Sequence, residues 1–121
     1  MGNQNIIQKK SFDFALEIVR IAKCLEKEQQ EFILSRQLLR SGTAIGALIR
    51  EAEHAESKKD FIHKMSISLK EANETRYWLD LLRESNLIGN LDFTKVDDEI
   101  VQIIRLLASI VKSSKQNYSK I

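Results

Sequence analysis

The chain is predicted to be all-α, an antiparallel up-down-up-down four-helix bundle, and three observations carry that expectation. Apolar residues recur with a period near 3.6 through four separate segments. There is no proline and there are only four glycines, so almost nothing interrupts a helix. One joint, Ser57-Lys58-Lys59-Asp60, leaves no room for a loop, so the helices on either side must fold back as a tight antiparallel pair. With 121 residues and no internal repeat, the chain reads as a single domain over 1–121, with flexible tails at about 1–10 and 115–121.

Helix 1 is expected from about Phe12 to Lys27, with Ser11 as N-cap, Asp13 in the first turn, and a stripe of Ala15, Ile18, Val19, Ala22 and Leu25. Glu28-Gln29-Gln30-Glu31 is either a short polar connector or an extension of helix 2. In helix 2, Leu34, Leu38, Ile45, Ile49 and Ala52 share one face, flanked by Ser41, Gly42 and Leu48. Gly42 and Gly46 should each cost roughly 1 kcal/mol relative to Ala inside a helix. Because the apolar period stays in phase from Leu38 to Ala52, the helix is expected to continue unbroken, with close packing as compensation.

At the joint, Ser57 can accept from the backbone N–H of Asp60 while Asp60 reaches back toward Ser57, a capping box with Asp in place of Glu. Helix 3 then carries two apolar stripes. The first is Phe61, Met65, Leu69, Ala72, Leu79 and Leu82, which a bundle core would take. The second is Ile67, Glu71, Glu74, Trp78 and Leu81, spaced like a coiled-coil seam and expected to form an oligomer interface. Helix 2 offers a matching side of Leu39, Gly42, Gly46 and Ile49, where another backbone could come close. The alternative is that Trp78 caps the bundle end beneath the 86–91 loop. Helix 4 starts near Asp92 after a Gly89-Asn90 turn and buries Phe93, Val96, Ile100, Ile103, Ile104, Leu107, Ile110 and Val111.

Charge and motifs exclude more than they assign. With 19 Lys and Arg against 17 Asp and Glu, the net charge is +2, too balanced to proclaim a nucleic-acid binder while leaving room for local patches. The one cysteine, Cys24, rules out an internal disulfide framework and suits a reducing compartment; it reads as a small packed thiol. The N-terminal residues lack a signal pattern and no apolar run approaches the ~18 residues of a membrane span. The expectation is a soluble, cytoplasmic protein without a membrane role.

Glu51-x-x-His54 and Asp60-x-x-His63 resemble halves of a di-iron site, but both crowd the helix 2–3 joint instead of the bundle middle, and no metal or other cofactor is assigned. Glu71 and Glu74 would need cationic partners if the seam is covered, and Arg40, Arg50 and Arg76 are the candidates, within the chain or across an interface. No nucleophile or cleft signature accompanies them, so no catalytic residue is assigned and the chain is not read as an enzyme. Arg36, Arg40 and Arg50 project from one side of helix 2 with small residues between them. With Lys58 and Lys59 they are the candidate nucleic-acid contacts, able to follow a phosphate backbone. Inter-subunit ion pairs or a solvated face account for the same stripe.

The run Leu34-Ser35-Arg36-Gln37-Leu38-Leu39-Arg40-Ser41-Gly42-Thr43-Ala44-Ile45-Gly46-Ala47, with Ile49 and Glu51-Ala52, resembles the signature of a family of small bacterial four-helix bundles. Lys58-Lys59-Asp60-Phe61, Ser66, Leu69-Lys70-Glu71-Ala72, Glu74-Thr75 and Tyr77-Trp78-Leu79 extend the match. These proteins were first recognised as products of intervening sequences inside 23S ribosomal RNA genes. Leu48 departs from the pattern, since many members have Asn there. The resemblance implies a homopentameric ring. It also implies kinship with accessory proteins of diversity-generating retroelements, hence nucleic acid and a reverse transcriptase as partners. Two functions stand: an oligomeric scaffold that binds structured RNA or DNA, and an oligomeric protein-interaction module that binds neither.

Overall fold

The computed structural model describes residues 2–86 and 91–119, with side chains from residue 5. Four helices follow one another: α1 (Gly2–Glu28), α2 (Ile33–Glu53), α3 (Lys58–Glu84) and α4 (Thr94–Ser119). There is no strand among the described residues. Each helix packs against its two neighbours around a square, α1 on α2, α2 on α3, α3 on α4 and α4 on α1. The all-α antiparallel bundle is therefore what the chain forms.

The first helix departs from expectation. It begins at Gly2, ten residues ahead of Phe12, so most of the stretch expected as an N-terminal tail is helical. The reason lies in an apolar stripe that starts earlier than Ala15. Ile7, Ser11, Phe14, Ile18, Ile21 and Leu25 are all buried, at alternating spacings of four and three. Burying a side chain such as Ile7 contributes about 1.5–3 kcal/mol, and only a helical 2–11 places it in the core. Ser11 is consequently no N-cap. It sits mid-helix, its hydroxyl donating to the Gln8 carbonyl at 3.0 Å. Helix α4 likewise runs through residues 115–119.

Polar groups close the helices where the chain turns. Gln30 takes a left-handed conformation (φ 52°), letting the Glu31 N–H return to the Leu25 carbonyl at 3.0 Å. The Glu31 carboxylate then accepts from the Leu34 N–H at 2.8 Å, opening α2. Residues 29–32 are thus a connector. At the next joint Ser57 caps α3, accepting from the Asp60 N–H at 3.0 Å. Asp60 reaches back one residue further than expected, to the Glu56 N–H at 3.1 Å. Asp92 caps the start of α4 through the Thr94 N–H at 2.9 Å. The Gly89-Asn90 turn lies outside the described residues.

Helix α2 passes through Gly42 and Gly46 as one continuous helix, as expected. What fills the space beside the glycines is α1 of the same chain. Gly42 lies against Ile18 and Gly46 against Ser11. The side face of α2 offered for self-association is therefore an internal contact, and Ile49 within it is buried in the core. Between α2 and α3 the core carries hydroxyls: Thr75 Oγ1 lies 3.0 Å from Ser41 Oγ, and Ser68 donates to the Ile45 carbonyl at 2.9 Å. All three side chains are wholly buried and hydrogen-bonded, so they pin the register of the pair without an unsatisfied group.

Candidate nucleic-acid interface

The helical period that buries Leu38, Ile45 and Ile49 turns Arg36, Arg40 and Arg50 outward, and all three are exposed. Fourteen residues of helix separate Arg36 from Arg50, about 21 Å along the axis. Their environments differ. Arg40 is committed to α3, donating to Glu71 Oε1 at 3.3 Å and also to Glu74 Oε1. Glu74 Oε1 additionally accepts the indole N–H of Trp78 at 3.1 Å. Arg40, Glu71, Glu74 and Trp78 thus form one clamp across the α2–α3 interface.

Arg50 leans the other way, its guanidinium 5.9 Å from the centre of the Phe12 ring on α1. Lys58 and Lys59 are exposed in the first turn of α3. Among the described residues, no carboxylate pairs with Arg36, Arg50, Lys58 or Lys59. Four of the five predicted cations therefore keep their charge available, and the fifth is spent inside the fold.

The expected seam of α3 is divided in the same way. Glu71 and Glu74 are half-buried by their bonds to Arg40, while Ile67 and Trp78 are half-buried against the bundle. Leu81 remains exposed, and beside it Tyr77 stands 58% open with its ring edge-on to Trp78 at 5.1 Å. Sequence periodicity passed over Tyr77, because it falls between the two apolar stripes. It also passed over Phe12 and Leu16, which face solvent on α1.

The joint between α2 and α3 holds a shallow depression lined by Arg50, Glu51, His54, Glu56, Asp60 and Lys64. Its charges satisfy one another. Lys64 donates to Glu51 at 3.0 Å, a bond that raises the lysine's proton affinity, and Asp60 is occupied as a cap. No three His, Cys, Asp or Glu gather as metal ligands among the described residues. Cys24 donates its thiol proton to Glu28 at 3.2 Å, and that bond, with burial and the carboxylate's charge, pushes the thiol up. This is the opposite of what a thiolate nucleophile needs. Among the described residues, no helix is long and apolar enough to cross a membrane.

Residues 3–109 match the profile of the family described as 23S rRNA-intervening sequence protein. The chain belongs to this family. A crystal structure of a protein of unknown function from the S23 ribosomal protein family of Bacteroides thetaiotaomicron VPI-5482 superposes with a TM-score of 0.87. It is 49% identical, over 91% of this chain and 98% of that one. No curated protein matches. Within the 23S rRNA-intervening sequence family the four-helix bundle is thus shared, and no enzymatic activity attaches to either similarity.

Proposed function

We propose that this chain is a non-enzymatic, oligomeric bundle that binds structured RNA or DNA through phosphate contacts repeated around a ring. The observation that carries this reading is the set of exposed cations without carboxylate partners: Arg36, Arg50, Lys58 and Lys59 along the outer side of α2 and its corner with α3. A protomer with net charge +2 binds phosphate weakly, so the reading needs several copies acting together. The pentamer implied by the family resemblance supplies them, and the family's tie to 23S rRNA supports nucleic acid as the partner. A reverse transcriptase as further partner, and a cytoplasmic setting, belong to the same reading.

The exposed Tyr77 and Leu81 favour a second reading, a protein-interaction scaffold without nucleic acid. Binding of labelled RNA hairpins and DNA duplexes to the intact protein separates the two. Arg36→Ala with Arg50→Ala should weaken binding to all sequences alike, since phosphate contacts carry no sequence information. Arg40→Ala should weaken it less, because that guanidinium is held by Glu71 and Glu74. Absence of binding at low salt hands the case to the scaffold.

A further inference from the structure

Two exposed aromatic rings stand at the same end of the bundle, each in a groove shared with a free cation. Phe12 is 52% exposed and lies beneath the Arg50 guanidinium. Both line a groove of about 430 Å³ whose floor is small residues, among them Ser11, Ala15 and Gly46. Tyr118 is 46% exposed and shares with Lys58 and Phe61 a second groove of about 210 Å³ between α3 and α4. Arg50 precedes the end of α2 by one turn, Lys58 opens α3, and Tyr118 is the penultimate residue of α4. The up-down order brings those three helix ends together.

We infer that this end of the bundle takes unpaired nucleotides, whose bases stack on Phe12 and Tyr118 while Arg50, Lys58 and Lys59 hold the flanking phosphates. The inference rests on the nucleic-acid reading above and names its substrate class: a single-stranded segment, loop or bulge instead of a continuous duplex. Charge complementarity selects the occupant. Cations without carboxylate partners border both rings, which suits a polyanion with apolar faces better than an apolar protein surface. A paired duplex hides its base faces within its own stack, so the rings contribute only where bases are free.

The test compares a fluorescein-labelled oligouridylate with a fully paired RNA duplex of equal length, both titrated with the full-length protein. Phe12→Ala and Tyr118→Ala should each lower affinity for the single strand about fivefold or more and leave the duplex nearly unchanged. Phe12→Leu, which keeps apolar bulk without a π-face, should lose as much as Phe12→Ala, whereas Tyr118→Phe should bind like wild type. Wild-type behaviour of Phe12→Leu, equal losses on strand and duplex, or a changed assembly mass in Phe12→Ala would overturn the stacking inference. Duplex binding that still falls in the Arg36/Arg50 double variant would leave the phosphate reading standing alone. No binding to either probe would remove both.

Discussion

Gly42 presses so closely on Ile18 that a β-carbon at residue 42 would stand 2.8 Å from Ile18 Cγ2. Ile18 is wholly buried and β-branched, so it has no free rotamer to yield. At Gly46 the nearest atom is Ser11 Oγ at 3.3 Å, a contact that relaxes with a small shift. Alanine gains about 1 kcal/mol of helix propensity at either site, but overpacking costs about 1–3 kcal/mol. Gly42→Ala should therefore lower stability by up to about 2 kcal/mol, and Gly46→Ala should raise it by up to about 1 kcal/mol. Urea denaturation midpoints check the contrast; equal midpoints would contradict it.

The hydroxyl pair of Thr75 and Ser41 should matter through register more than through energy. Thr75→Val removes the 3.0 Å contact and its bond to the Glu71 carbonyl, while Ser41 retains the Gln37 carbonyl at 3.1 Å. A loss of about 1–2 kcal/mol is expected. Thermal unfolding that leaves the midpoint untouched would show that these hydroxyls do not stabilise the pairing of α2 with α3.

These two sites also show how far sequence reasoning reached. The capped corner at Ser57, the core positions of α4 and the unbroken α2 were all legible, because each depends on neighbours within one or two turns. Which helix would fill the glycine notch was not, since Ile18 and Ser11 are remote in the chain and periodicity does not say which neighbour a face meets. Ser11 misled for a related reason: a serine before an apolar run looks like a cap until Ile7 proves to be buried. Arg40 was rightly considered a partner for Glu71 and Glu74. Counting it also as a phosphate contact assigned one guanidinium twice.

Glu99 links stability to pH. Its Oε1 is buried without a hydrogen-bond partner among the described residues, on the helix facing α1. Burial raises its proton affinity above the ordinary value of 4.5, Glu17 and Asp13 add to the rise, and Lys95 and Lys10 oppose it. The folded state therefore holds the proton more tightly than the unfolded one, so stability falls as pH rises from about 4.5 through the raised value. Glu99→Gln should flatten this slope and raise the melting temperature at neutral pH. Asp97 shifts in the same direction in both proteins, so the difference isolates Glu99. Parallel pH profiles would refute the assignment.

Assembly, in the proposed reading, uses what α3 leaves exposed. Replacing Tyr77 and Leu81 together by Ala should lower the sedimenting mass while shifting the melting temperature little, since both side chains face solvent in the protomer. Unchanged mass would move the interface elsewhere.

The most direct test of a ring that binds nucleic acid is sedimentation velocity of the full chain mixed with a labelled structured RNA at increasing salt. At low salt the RNA should travel with a species several times the 14.0 kDa protomer, five times if the ring is a pentamer. It should be released as salt rises, with a log–log slope of about −0.7 to −0.9 per phosphate neutralised. A 14.0 kDa protein at micromolar concentration, with RNA sedimenting free of it at low salt, would contradict the account.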